Sequence, residues 1–177
     1  KLIDFENIIG GIVVQVSSGE KFETELVIGA DGGRSLVRDW ATIPSTGWSY
    51  GQKTIVGQVK PERSHDNTCW QKFAKNGPIA LLPLNDGRCS LAWHTTPQEA
   101  DELLALDSEE FGQRLTEAFN GRFGKIEAHW KLGAFPLRLN HARHYYRNHF
   151  VLFGDAAHNI QPLAGLGVNI GFLDAAT

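Results

Sequence analysis

Residues 12–16 (Ile-Val-Val-Gln-Val) form a β-branched, mostly apolar run. Residues 22–28 form a second strand-like run, with Ser17-Ser18-Gly19-Glu20 between, which predicts a β-hairpin. The second strand of that hairpin closes in an apolar run and meets Gly29-Ala30-Asp31-Gly32-Gly33. Small residues after an apolar strand are where open α/β sheets often meet a ligand. Residues 35–41 predict a short helix, with residues 33–35 near its start. The middle of the chain reads as strands over 53–59, 67–73, 79–84 and 89–94, with Asn85-Asp86-Gly87 as a hairpin turn. Residues 99–106 and 108–119 predict helices. The second takes Ser108 as cap and places Phe111, Leu115 and Phe119 on one face. A strand follows over 127–132. The pattern then changes: the buried-type strand 149–153 runs into Gly154-Asp155-Ala156-Ala157-His158, a loop with Pro162, and a glycine-rich helix start from Gly165.

Composition narrows the class. With 177 residues, 42% hydrophobic and 21% charged, the chain can build a core and is not disordered. A net charge of −3 gives no general attraction to nucleic acid. No apolar run approaches the ~20 residues of a membrane span, and no secretory signal opens the chain. Two cysteines, Cys69 and Cys89, suit a reducing compartment better than a disulfide scaffold. The chain opens at Lys1, contains no Met and stops at Thr177 inside a helical pattern, so it reads as a piece of a longer protein.

The strongest chemical signal is the segment from Gly154 to Gly171. An Asp directly after a buried strand can accept hydrogen bonds from polyol hydroxyls, and small neighbours let a ligand approach the backbone. Gly165 and Gly167 expose N–H groups at a helix start, where negative charge is favoured. A tight strand–loop–helix connection needs the same residues. The spacing is not the dinucleotide fingerprint, because Ile170 stands where G-x-G-x-x-G requires its last glycine.

Two long motifs together carry a resemblance. The run from Gly154 to His158, with Pro162, Gly165-x-Gly167-x-Asn169-x-Gly171 and Asp174-Ala175, resembles the "GD" motif of class A flavoprotein aromatic hydroxylases. Ile28 to Arg38 resembles the "DG" motif of the same superfamily. Between them, Thr68 to Phe73, Gly77-Pro78 to Leu84, Ser90 to Trp93 and Gly133 to Leu137 look like the ubiquinone-biosynthesis hydroxylases. The branch acting on a 3-methyl-6-methoxy polyprenyl benzoquinol ring is the most similar. The resemblance implies an α/β fold, α+β in the middle. A partial FAD-binding domain of the aromatic-hydroxylase type would occupy 1–45 and 149–177 and flank a mostly antiparallel substrate sheet over 46–148. It implies FAD, reduced by NAD(P)H and reacting with O2 at flavin C4a to a hydroperoxide that hydroxylates the ring. No catalytic side chain is required, since the cofactor carries the hard chemistry. By motif position, Gly154 and Asp155 would bind the ribityl chain and Pro162 would lie by the isoalloxazine. Backbone of Gly165, Leu166, Gly167, Val168 and Asn169 would hold the pyrimidine edge. Asp31 and Gly32 would shape the pyrophosphate region and the NAD(P)H path, with Arg38 as a phosphate-side residue. Leu166 departs from the Gln usual in the family. The family's N-terminal G-x-G-x-x-G unit and long C-terminal helices have no counterpart here, so weak or no FAD binding and no turnover are expected of this piece alone. The resemblance further implies a cytoplasmic protein, or one held at the inner-membrane periphery beside other ubiquinone-biosynthesis proteins. Other class A flavoproteins, or a non-catalytic scaffold module with degenerate motifs, are the alternatives.

Other signals are weaker. Seven histidines have no zinc-like spacing to cysteines or carboxylates, so no metal site is expected. His158 reads as a packing or hydrogen-bonding residue. Trp70, Phe73, Trp93, Trp130 and Phe135 read as core, or as an apolar slot for a prenylated ring. Arg138, His141, Arg143, His144 and Arg147 form a basic stretch, a solvated face or a contact for anionic lipid.

Overall fold

The computed structural model of the chain describes residues 2–128, 132–162 and 165–177. Trp130, the end of the strand expected over 127–132, and Leu163-Ala164 lie outside the described residues. The chain divides into two units: Lys1–Trp48 with Arg138–Thr177, and Ser49–Leu137.

The first unit opens with a three-stranded antiparallel sheet of β1 (Leu2–Ile8), β2 (Gly11–Val16) and β3 (Lys21–Thr24). The second strand of the expected hairpin is in fact two strands. β3 stops at Thr24, and β4 (Val27–Gly29) belongs to another sheet. Thr24 causes the break: its Oγ1 donates to the Leu26 carbonyl at 3.1 Å and accepts from the Leu26 N–H at 3.4 Å, a local turn that competes with the ladder. The Val27 N–H then bonds to the His149 carbonyl at 2.7 Å. β4 pairs in parallel with β12 (Phe150–Leu152), which pairs on its other side with β11 (Tyr146–Arg147). A short helix α1 (Leu36–Trp40) follows β4. A single 3-10 turn over Gly154–Ala156 follows β12, then β13 (His158–Asn159) and α4 (Leu166–Ala176). The core joins Ile12, Val27, Val37, Phe150, Leu152, Ala156 and Ala157. Phe5 closes it edge-on against the Phe150 ring, with centroids 5.3 Å apart. None of the described residues of α4 is buried. Leu166, Val168, Phe172 and Leu173 are all exposed apolar residues.

In the second unit β5 (Ser45–Pro61, which starts in the first unit), β8 (Cys89–Thr95), β7 (Gly77–Pro83) and β6 (Trp70–Ala74) form an antiparallel sheet. β9 (Ile126–Ala128) pairs with the end of β5, and β10 (Gly133–Ala142) leads back to the first unit. The turn at Asn85-Asp86-Gly87 is as expected: Gly87 takes φ +82°, and the Leu84 N–H donates to the Arg88 carbonyl at 2.8 Å. Helices α2 (Pro97–Ala105) and α3 (Ser108–Ala118) cover one face of the sheet. Ile55, Val59, Ile79, Leu81, Leu91 and Trp93 meet Leu103, Phe111 and Leu115 there. The cap of α3 is Asp107 rather than Ser108. A carboxylate accepts two N–H groups at once, from Glu109 and Glu110, and Glu110 returns a bond to complete a capping box. Of the aromatic residues read as core, Trp93 is buried, Trp70 is half-buried, and Phe73 and Phe135 are exposed. Cys89 is buried and Cys69 exposed, both as free thiols. Burial, and secondarily the nearby Cys69, pushes the Cys89 thiol up. The architecture is mixed α/β with mostly antiparallel sheet. Among the described residues no helix is long and apolar enough to cross a membrane.

Candidate cofactor site

Both motif turns grow from the parallel pair β4/β12 in the first unit. Gly29 ends β4 where a side chain cannot fit: a Cβ there would lie 2.9 Å from both Leu152 and Val37. Its carbonyl accepts from the Phe153 N–H at 2.9 Å, so the two strands leave the sheet side by side. The chain then turns through Asp31, whose Oδ2 accepts from the Leu36 N–H at 2.7 Å and the Val37 N–H at 3.3 Å. Burial alone would raise this carboxyl. Hydrogen bonds from Ser35, Val37 and Leu36 outweigh it and hold Asp31 below its ordinary range. Asp31 thus caps α1, assisted by Ser35, whose Oγ accepts from the Arg38 N–H at 2.9 Å.

Arg38 is the link between the two turns. Its guanidinium is buried and donates from Nη1 to the Ala156 carbonyl at 3.0 Å and from Nη2 to the Gly33 carbonyl at 3.1 Å. The phosphate-side role expected of Arg38 therefore competes with two protein acceptors.

The second turn has its own anchor. Gly154 takes φ +54°, open to glycine at no steric cost, and its N–H donates to Asp174 Oδ2 at 2.8 Å. The same oxygen lies 2.7 Å from His158 Nε2, in a nearly buried pair. His158 is thus a hydrogen-bonding residue that helps hold α4 to the turn. Asp155 is exposed, and its Oδ2 accepts from Asn159 Nδ2 at 3.1 Å.

These elements enclose a cleft of about 420 Å³. Its walls are Ala30 and Gly32 from the first turn, Phe153, Gly154 and Asp155 from the second, and Gly167, Val168, Gly171 and Phe172 from α4. Of the residues expected from sequence, Gly32, Gly154, Asp155, Gly167 and Val168 come together here. Asp31 and Arg38 stand behind the walls, tied up in the protein's own bonds. Pro162, Gly165, Leu166 and Asn169 belong to the loop and first turn of α4 without lining the described cleft. Asp174 was noted in the motif without a role, and its place as the shared acceptor was not foreseen. Gly171 and Phe172 were also missed as walls. Their spacing of four from Gly167 and Val168 on a helix was the available signal.

The cleft suits a large flat polar ligand. Cβ atoms built on Gly32, Gly154 or Gly167 would meet nothing within 4 Å, so the missing side chains leave a cradle open to the backbone. Asp155 supplies an exposed acceptor for hydroxyl groups, and Phe153 and Phe172 supply apolar walls. These residues fit FAD. Among the described residues no group of three or more His, Cys, Asp or Glu is placed to hold a metal ion.

Comparison with known proteins agrees with this geometry. The chain belongs to the FAD binding domain family, which matches residues 4–177. It is 38% identical to 3-demethoxyubiquinol 3-hydroxylase of Escherichia coli, over 91% of this chain and 41% of that protein. It is 35% identical to the mitochondrial ubiquinone biosynthesis monooxygenase COQ6 of Xenopus tropicalis, over 93% of this chain and 43% of that protein. The chain thus spans about two fifths of the length of these curated relatives. Its fold matches that of pqsL, a probable FAD-dependent monooxygenase from Pseudomonas aeruginosa. The TM-score is 0.77 at 23% identity, covering 99% of this chain and 51% of that one.

Proposed function

We propose that the protein carrying this chain is a flavin-dependent monooxygenase that hydroxylates a polyprenyl benzoquinol ring in ubiquinone biosynthesis. The observation that carries the reading is the glycine-walled cleft between the two motif turns, in a chain related to ubiquinone-biosynthesis hydroxylases. When bound, FAD supplies the redox chemistry, with NAD(P)H as hydride donor and O2 as oxygen donor.

The chain's own residues bind and orient. Asp155, steadied by Asn159, would accept hydrogen bonds from ribityl hydroxyls. From the first turn of α4, Gly167 and Val168 line the cleft, and the positive dipole end of that helix would favour the electron-rich edge of the reduced ring. Phe153 and Phe172 supply apolar wall against which the ring of a bound flavin would pack. Arg38 and Asp174 position the walls: Arg38 joins the two turns, and Asp174 joins the second turn to α4.

The second unit, Ser49–Leu137, which takes up most of the expected 46–148 segment, would receive the substrate. The sheet face opposite α2 and α3 carries Val56, Ala80, Ala92 and Ser90, small enough to receive a ring. Thr54, Gln58 and His94 share that face by register. Each holds a buried polar atom without a partner among the described residues: Thr54 Oγ1, Gln58 Oε1 and His94 Nδ1. Burial lowers the His94 pKa and so disfavours its charged form, and unpartnered polar atoms of this kind suit ring oxygens and hydroxyls.

The test uses the whole protein that carries this chain. Purified protein should be yellow, release FAD on denaturation, and consume NAD(P)H and O2 when given a prenylated quinol, with one oxygen atom appearing on the ring. Asp155→Ala should lower flavin content with the circular dichroism spectrum unchanged. A folded, colourless protein that cannot be reloaded with FAD would reject the reading in favour of a scaffold.

A further inference from the structure

The second unit contains a cavity of about 840 Å³ that the flavin reading does not use. It lies between β6, the segment following α3, and the loop around residues 63–68. Its charge runs against that of the chain as a whole. The protein carries a net charge of −3, yet Arg63, Lys72 and Arg122 line this cavity with Asp66 as its one described carboxylate.

These cations are not equally engaged. Lys72 Nζ donates to the Ala118 carbonyl at 2.6 Å and to Asn120 Oδ1 at 3.0 Å, closing the C-terminal end of α3. The Arg122 guanidinium instead stacks 3.7 Å above the Trp70 ring. Stacking fixes its plane and leaves its N–H edge unused by any carboxylate among the described residues. Among the described residues Arg63 donates one bond, from Nη1 to the Arg122 carbonyl at 3.3 Å, and keeps its remaining donors.

His65, only 7% exposed, lines the same cavity. Its Nδ1 accepts from the Asn67 N–H at 3.1 Å, so the ring hydrogen resides on Nε2. That Nε2 is buried with no acceptor among the described residues. Leaving a buried donor unpaired is costly, and an acceptor supplied by a ligand removes the cost.

We propose that this cavity is an anion site for a phosphate group, held by Arg63 and Arg122 with His65 Nε2–H as a further donor. One guanidinium fork would satisfy a planar carboxylate. Two guanidinium groups and an imidazole N–H match the several oxygens of a phosphate. The cavity exceeds the size of inorganic phosphate, and Phe119 and Phe123 supply apolar wall for the organic part of an ester. A soluble phosphate ester and a phospholipid headgroup share this chemistry.

The test titrates the full chain with inorganic pyrophosphate at constant ionic strength, following histidine and arginine side-chain NMR signals. Saturable shifts are expected at His65, Arg63 and Arg122. R63Q and R122Q should each weaken binding at least tenfold, while R138Q and R143Q in the other basic stretch leave it unchanged. Vesicles of phosphatidylcholine with and without phosphatidylglycerol separate the sources. Sedimentation with the anionic vesicles that is relieved by pyrophosphate and by R122Q identifies a headgroup, and pyrophosphate binding without vesicle binding identifies a soluble ester. Thermal melts confirm that the variants fold. If R122Q does not fold, R63Q, which gives up a single hydrogen bond, carries the comparison. Shifts spread evenly over all exposed basic residues, or unchanged affinity in R63Q, would overturn the proposal.

Discussion

Arg38→Met separates a structural cross-link from a phosphate ligand. Methionine retains much of the apolar stem, so the change removes the guanidinium while sparing most of the packing. The guanidinium makes two bonds, at 3.0 Å to the Ala156 carbonyl and 3.1 Å to the Gly33 carbonyl, and the residue is 8% exposed. A hydrogen bond from a charged donor contributes about 1.5–3 kcal/mol, so the pair is worth about 3–6 kcal/mol before any relaxation of the turns. Some water will reach the freed carbonyls, which favours the lower end, about 3 kcal/mol, still a large share of the roughly 5–15 kcal/mol that holds an ordinary domain together. Arg38→Lys keeps the charge but not the fork and should lose about half as much. Urea unfolding followed by circular dichroism gives the answer: the midpoint should fall with the slope unchanged. An R38M protein within ~0.5 kcal/mol of the parent, but with weakened flavin binding, would refute the cross-link and return Arg38 to the ligand.

Other outcomes follow from the same structure. Gly167→Ala should leave stability unchanged or raise it by up to about 1 kcal/mol, because its Cβ meets nothing and alanine favours helix. Gly167→Leu should fill the cleft and deplete flavin from the purified whole protein, and full flavin occupancy in G167L would argue against the cleft. Asp174→Ala strands two donors, the Gly154 N–H and the His158 ring, and should cost about 2–4 kcal/mol in urea unfolding. His94 gives a pH dependence. Burial holds its folded pKa below the ordinary 6.5, so the unfolded chain takes up a proton that the folded chain refuses. Its contribution is complete above pH about 6.5 and declines as pH falls further. The parent should lose ground against H94Q between pH 7.5 and 5, and parallel curves would exclude it.

The two motif turns were legible because small residues and an Asp after an apolar strand leave few alternatives. The helix faces were legible too, with Phe111 and Leu115 buried as their spacing requires. What escaped was long-range or finely local. Arg38 finds its Ala156 acceptor from far along the chain, a pairing that no periodicity encodes. The break between β3 and β4 depends on one hydroxyl, Thr24, inside an otherwise continuous strand pattern. β1 was not foreseen, because a strand half-exposed on both faces shows no clean alternation. Asp174 carried no visible role because its partners, Gly154 and His158, meet it only once α4 has docked.

The parallel pairing of β4 with β12 also sets an order of assembly. Val27–Gly29 must find Phe150–Leu152 across the whole intervening chain, which includes Ser49–Leu137. Closing so long a disordered loop is an entropic barrier, and non-local strand pairing is slow for that reason. If Ser49–Leu137 condenses first on its own core, its two ends become a short bridge. Gly47 and Leu139 then leave the first unit so close together that a Cβ on Gly47 would touch the Leu139 carbonyl. Replacing a loop of about 120 residues by an effective one of about 30 lowers the closure cost by about 1.2 kcal/mol, roughly eightfold in rate. The cleft at the end of β4 and β12 is therefore timed by a core that contributes no wall to it. A lesion such as Leu115→Ala would delay formation of the flavin site without touching it.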